Sequence, residues 1–201
     1  MVEGVRRRRT DGCVAMLTGL LYVALCPRAA HDPGGVERSA FRMVNQAGGA
    51  VPALRLPQQL GTPWVLPGMA LAGFLTRRPF LAVSAGLALP VEKALEVGVK
   101  KVVRRRRPAE VLDPELHDDA PTDGPSYPSG HAAIAACAAV LAAPYLPRYA
   151  TYGLATGVGL TTWTRVHQGA HFPLDGVGGV LLGVSVATML NFAFGLPPSS
   201  S

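Results

Sequence analysis

Apolar residues fall in blocks along this chain, and the blocks are too long for ordinary strands. The first, Cys13 to Cys26, stands directly behind Arg6–Arg9. Later blocks run over Pro63–Thr76, Pro79–Val99, His131–Leu146, Ala150–Trp163 and Pro173–Leu196. A helix needs roughly 20 apolar residues to cross a bilayer. Pro79–Val99 and Pro173–Leu196 reach that length unaided; the others must recruit flanking residues or tilt in a thinned bilayer. Between the first two blocks the pattern changes. Val36, Ala40, Val44, Ala47, Val51 and Leu54 recur at helical spacing, with Glu37, Arg38, Arg42, Asn45 and Gln46 elsewhere on the circumference. That spacing predicts an amphipathic helix lying in the membrane interface; alone it would equally describe a surface helix of a soluble domain. The pattern therefore predicts an all-α fold, a polytopic membrane bundle of about six transmembrane helices with an interfacial amphipathic helix.

Ala132, Ala133, Ala136 and Ala139, with Gly153 and Gly157, suit close helix–helix packing in lipid. Tyr145, Tyr149 and Tyr152 sit at one turn, as an interfacial aromatic belt would. The first block has a rival reading: a basic flank and a short apolar core also describe a signal peptide, with PRAAHD as a cleavage region. A lipoprotein signal fits poorly, because Leu25 is bulky where a small residue should precede Cys26. The company of the later blocks favours an uncleaved first span.

Composition sharpens this picture. The chain has 201 residues, of which 49% are hydrophobic and 16% charged, with mean hydropathy +0.26. Those values exclude a disordered tail, a disulfide-stapled miniprotein and a coiled coil. The net charge of +6 does not indicate nucleic acid, because Arg6–Arg9 and Lys100–Arg107 hold most of the excess and lack interleaved aromatic residues. Cys13 and Cys26 would lie about 20 Å apart on one helix, too far to pair. Buried, unpaired thiols are the expectation for both and for Cys137.

Three short stretches outside the blocks carry candidate chemistry. The first is Lys100–Pro108, the basic run closing the third span. By itself it is a solvated anchor. The second is Tyr127-Pro128-Ser129-Gly130-His131, where a Ser-Gly pair opens a helix and frees N–H groups for an anion. The third is Thr164-Arg165-Val166-His167-Gln168-Gly169-Ala170-His171-Phe172-Pro173-Leu174-Asp175. If helices alternate, all three meet at one membrane face. Two histidines, several cations, an aspartate and an anion-ready helix terminus then form a phosphate site.

The ordered pattern Lys-x6-Arg-Pro, Pro-Ser-Gly-His and Arg-x5-His-x3-Asp resembles the type 2 phosphatidic acid phosphatases, the superfamily of lipid phosphate phosphatases and vanadium haloperoxidases. Lys100, Arg107 and Pro108 fit the first element; Pro128, Ser129, Gly130 and His131 the second; Arg165, His171 and Asp175 the third. Thr164 stands where that family usually has Ser, and keeps a hydroxyl. The resemblance implies one membrane-embedded phosphatase domain over residues 1–201, its motif-bearing core at about 79–196. It implies that Lys100, Arg107, Arg165, Ser129 and Gly130 cradle phosphate, that His171 attacks phosphorus, that Asp175 holds its imidazole, and that His131 protonates the leaving group. It implies no metal and no cofactor, a lipid phosphate or diphosphate as substrate, and a site facing away from the cytoplasm of a prokaryotic plasma membrane. Isoprenyl pyrophosphates and phosphatidate-like lipids are the expected substrates. The bilayer is the expected partner and nucleic acid is not; oligomeric state is left open. A soluble acid phosphatase or haloperoxidase relative is the alternative enzyme; a silent protein that only binds a phospholipid headgroup is the alternative from another class.

Several neighbours have competing readings. His167, His171 and Asp175 would form a metal face on one continuous helix, but Gly169 and Pro173 interrupt it, and His167 reads as pocket-lining or interfacial. His31 and His117 read as exposed loop residues. The acidic stretch Ala109–Pro125 is a connector or a lid. Glu96 and Lys100 pair at i,i+4, and Glu92, deep in its span, invites either a functional role or pairing with Lys93. Orientation by charge is divided: Arg6–Arg9, Arg77–Arg78 and Arg148 share one side, whereas Arg28, Arg38, Arg42, Arg55 and Lys100–Arg107 share the other.

Overall fold

The computed structural model describes residues 2–48, 55–117 and 120–194, with side chains from residue 8 onward. Val51, Leu54, Asp118, Asp119 and Leu196 lie outside the described residues, and so do the side chains of Arg6 and Arg7. Every regular element among the described residues is helical. In chain order these are α1 (Val2–Ala29), α2 (Gly35–Asn45), α3 (Arg55–Gln59), α4 (Val65–Leu75), α5 (Pro79–Val103), α6 (Pro108–Val111), α7 (Gly130–Ala142), α8 (Arg148–His167) and α9 (Pro173–Phe194).

The long helices alternate in direction. Arg8, near the start of α1, donates to the Phe192 carbonyl at the end of α9 at 2.8 Å. Arg78, just before α5, lies over the Tyr145 ring that follows α7. At the opposite end, Arg106 after α5 pairs with Asp32 after α1. One end of the bundle therefore collects the close of α5, the start of α7, the close of α8 and the start of α9. That is the convergence the three stretches required.

Close approach of α7 and α9 makes the centre. A Cβ on Gly183 would stand 2.1 Å from the Ala133 carbonyl oxygen, and one on Gly179 would stand 2.3 Å from the Ser129 carbonyl oxygen. Only glycine admits backbone contact that tight, and van der Waals packing of such backbones holds helices together where no hydrophobic drive exists. The alanine face of α7 thus meets glycines of α9. Gly153 of α8 meets nothing within 4 Å, while Gly157 faces Leu60. Around this seam Leu66, Ala85, Ala88, Ile134, Leu141, Leu182 and Val186 complete the buried core.

The outer surface is apolar as well. Leu17 and Leu20 of α1, Phe74 of α4, Val83 and Leu87 of α5, Leu160 of α8 and Met189 of α9 are exposed. An apolar belt of that extent suits lipid rather than water. Arg8–Ala29 and Pro173–Phe194 are long and apolar enough to cross a bilayer. The expected second, short span is not extended: α4 has 11 residues, about 16 Å of helix. The expected third, α5, runs 25 residues but carries Glu92, Lys93 and Glu96 within it.

Three expectations change. In α2 the inward face is Glu37, Phe41, Val44 and Asn45, while Val36 and Met43 are exposed. The polar residues Glu37 and Asn45 point into the protein because partners wait there. Asn45 donates to the carbonyls of Glu115 and His167, at 2.7 and 2.8 Å. His117 is half-buried, stacked on His167 at 4.8 Å, whereas His31 is exposed as expected. The cysteines are all free, but only Cys137 is buried; Cys13 is exposed and Cys26 intermediate.

Candidate active site

The basic run emerges from α5 with a sharp change of direction. Arg104 takes a left-handed conformation, φ 48°, and the chain continues extended to Pro108. Successive side chains then alternate sides: Arg105 and Arg107 are buried, Arg104 and Arg106 exposed. Arg107 is fixed by main-chain acceptors, its Nε donating to the Asp123 carbonyl at 2.7 Å and Nη1 to the Ala170 carbonyl at 2.8 Å. Burial lowers its pKa below the ordinary arginine value. The Glu110 carboxylate accepts the Arg107 N–H at 3.3 Å, one contact between the acidic stretch and the basic run.

Ser129 caps α7 and Gly130 opens it. The Ser129 N–H donates to the Asp175 carbonyl at 2.9 Å, which ties the second motif to the third. Among the described residues its buried hydroxyl has no hydrogen-bond partner. A Cβ on Gly130 would come 2.8 Å from both carboxylate oxygens of Glu96. Glu96 accepts from Lys100 Nζ at 2.6 Å and pairs also with Lys93, so the i,i+4 pair forms and sets Lys100 beside Gly130. Glu92 is wholly buried, with Lys93 at 3.5 Å.

The third motif folds as its breaks require. α8 closes at His167, Gly169 turns at φ 78°, and α9 opens at Pro173, a favoured first helical residue. His167, His171 and Asp175 consequently lie on separate segments rather than one helical face. His167 stacks on Trp163 at 5.0 Å as well as on His117. Arg165 Nη1 donates to Gln168 Oε1 at 2.6 Å, and Gln168 in turn donates to Gln58 at 2.9 Å. The Thr164 hydroxyl donates to the Leu160 carbonyl of its own helix at 2.8 Å.

His171 Nδ1 stands 3.6 Å from Asp175 Oδ2, an electrostatic contact slightly too long for a hydrogen bond. The same oxygen accepts the Phe172 N–H at 2.8 Å. Burial pushes the His171 pKa down to about 4, with the Asp175 charge opposing it and Arg107 and Arg165 adding to it. The imidazole is thus neutral at neutral pH. His131 lies within electrostatic range of both Arg165 and His171. All eight expected residues therefore belong to one end of the bundle.

Two participants escaped the sequence patterns. Arg105 donates from Nη1 to Asp175 Oδ1 at 2.9 Å and from Nη2 to Glu37 Oε2 at 2.7 Å. Burial alone would lower its pKa, but Asp175 and Glu37 outweigh that and raise it. Nothing in a run of four arginines singles out the one that faces inward. Glu37 could have been noticed only as an acidic residue in an otherwise basic helix.

A neutral buried imidazole backed by a carboxylate, within the field of fixed cations, is an arrangement able to attack an electrophile bearing negative oxygens. An undecaprenyl-diphosphatase of Sulfolobus acidocaldarius is 33% identical over 122 residues, 60% of this chain; the chain spans 58% of that relative's length. The crystal structure of Aquifex aeolicus LpxE superposes with a TM-score of 0.71 at 25% identity, covering 79% of this chain and 96% of that one. A transmembrane PAP2-type phosphatidylglycerolphosphate phosphatase from Bacillus subtilis matches with a TM-score of 0.49 at 21% identity, over 95% of each chain. The PAP2 superfamily model matches residues 80–195, a span that holds all three motifs, and this chain belongs to that superfamily.

Proposed function

We propose that the protein is an integral membrane phosphatase that removes phosphate from a lipid phosphate or diphosphate through a phosphohistidine. The observation that carries this reading is the His171–Asp175 pair at 3.6 Å, set beside buried Arg107 and Arg165. His171 Nε2 supplies the electron pair that forms the N–P bond, and the bond from phosphorus to the leaving oxygen breaks. His131, which burial and Arg165 hold deprotonated at neutral pH, takes up a proton as the anionic substrate binds and gives it to that oxygen. Water then attacks phosphorus, His131 takes a proton from it, the N–P bond breaks, and inorganic phosphate leaves. Lys100, Arg107, Arg165, the Ser129 hydroxyl and the Gly130 N–H neutralise the nonbridging oxygens throughout. The scheme has no step for a metal.

The 33% identity to an undecaprenyl-diphosphatase over 122 residues makes a polyprenyl diphosphate the favoured substrate, with phosphatidate-like lipids second. The site belongs on the extracytoplasmic face of a prokaryotic plasma membrane if Arg6–Arg9 holds the N-terminus inside. A cysteine placed in the loop 109–124 then reacts with an impermeant thiol reagent in intact cells; labelling only after lysis would reverse the orientation.

The test of the chemistry is purified protein in detergent with EDTA, offered a panel of lipid phosphates labelled in the terminal phosphate. The parent releases phosphate and carries acid-labile label when quenched during turnover. His171→Ala does neither while remaining folded. Near-parental turnover by that variant, or restoration of a chelated enzyme by zinc, would refute the scheme.

A further inference from the structure

Arg105 and Glu37 reach the site through buried contacts, although neither is a fixed position of a motif. Arg105 is 3% exposed and forks between two carboxylates, Asp175 at 2.9 Å and Glu37 at 2.7 Å. The Phe172 ring closes one face of its guanidinium, 5.0 Å from Cζ. The second oxygen of Glu37 accepts the Leu174 N–H at 3.2 Å. Glu37 therefore holds both the arginine and the first turn of the helix that carries Asp175.

Charge balance explains why the second carboxylate is there. Arg105 alone on Asp175 would cancel the charge that a developing cation on His171 needs. Glu37 shares the Arg105 charge, so less of it falls on Asp175; the exposed Arg28, 3.9 Å from Glu37 Oε2, balances Glu37 on the outer side. The fork also directs Oδ1 of Asp175 to Arg105, which leaves Oδ2 for the Phe172 N–H and His171. An isolated Asp175 could rotate toward Arg107 or Arg165 instead.

We infer that Glu37, reaching in from α2, is a positioning residue that acts through Arg105 to keep Asp175 anionic and aimed at His171. This rests on the phosphohistidine reading above. It gives α2 a part in the reaction without contact with substrate, and it makes the identity of residue 105 matter as much as that of the motif arginine two positions later.

The test uses the full chain in detergent, with Glu37→Gln, Arg105→Met, the double variant and His171→Ala compared on one polyprenyl diphosphate. Glu37→Gln lowers kcat about 10- to 100-fold, the range typical of partners that orient a functional histidine. KM and inhibition by inorganic phosphate stay within about threefold, because ground-state binding is untouched. In the Arg105→Met background, adding Glu37→Gln changes kcat by less than about twofold, since residues acting through one partner are not additive. Should Arg105→Met fail to fold, Arg105→Lys keeps the charge without the fork and shows the same loss of kcat at constant KM. A parental kcat in Glu37→Gln overturns the inference. So does a raised KM at constant kcat, or losses that multiply in the double variant. Activity in His171→Ala would bring down the function itself; an inactive His171→Ala beside a parental Glu37→Gln would bring down only this assignment.

Discussion

Asp175→Asn removes one charge and almost no volume from the centre of the site. In the parent, Asp175 Oδ2 stands 3.6 Å from His171 Nδ1. A full positive charge on that ring would be stabilised by about 4–5 kcal/mol at an effective dielectric near 20. Arg105, 2.9 Å from the other oxygen, offsets part of this, and phosphoryl transfer develops only part of the charge. About 3–4 kcal/mol remains, which is roughly 10²- to 10³-fold in rate. Binding of the ground state, where His171 is neutral, loses little. The variant therefore shows kcat down by about that factor with KM within about threefold. Phosphate release in detergent gives both constants, and thermal unfolding followed by circular dichroism verifies that Arg105, still paired with Glu37, leaves the fold intact. A kcat within about threefold of the parent would refute the electrostatic role assigned to Asp175.

Burial depresses the His171 pKa to about 4, well below the ordinary histidine value of about 6.5. The same group binds a proton more readily unfolded than folded between those values, so stability falls as pH drops from about 6.5 to about 4, measurable as a declining unfolding midpoint in detergent. Gly183→Ala drives a methyl against the Ala133 carbonyl, 2.1 Å from the ideal Cβ, and costs about 1–3 kcal/mol, read as a lower unfolding temperature; an unchanged midpoint refutes the tight α7–α9 seam. His131→Ala slows lipid substrates with poor alkoxide leaving groups far more than activated aryl phosphates, which depart without a proton. Equal losses on both would reduce His131 to a binding residue.

Much of this protein is written locally. Apolar blocks broken by Pro and Gly predict where helices run, because a helix's hydrogen bonds and its preference for apolar surroundings are settled within a few residues. Pro173 at the start of α9 and Ser129 before α7 are read from residue type alone. The three motifs were legible for the same reason: each is a short segment with fixed internal spacing. Alternation of helix direction then brought them to one end.

What the sequence did not decide is what meets across long separations. Arg104 to Arg107 are four identical side chains, and only the left-handed turn at Arg104 determines that Arg105 and Arg107 face inward. Glu37 and Asn45 read as the polar side of an interfacial helix. They are inward because Arg105, the Leu174 N–H and the carbonyls of Glu115 and His167 stand opposite them. A buried polar group is tolerated where its partners are supplied, and those partners lie 68 to 137 positions away. Periodicity measures hydrophobicity around one helix; it carries no record of which charge another segment will present to it.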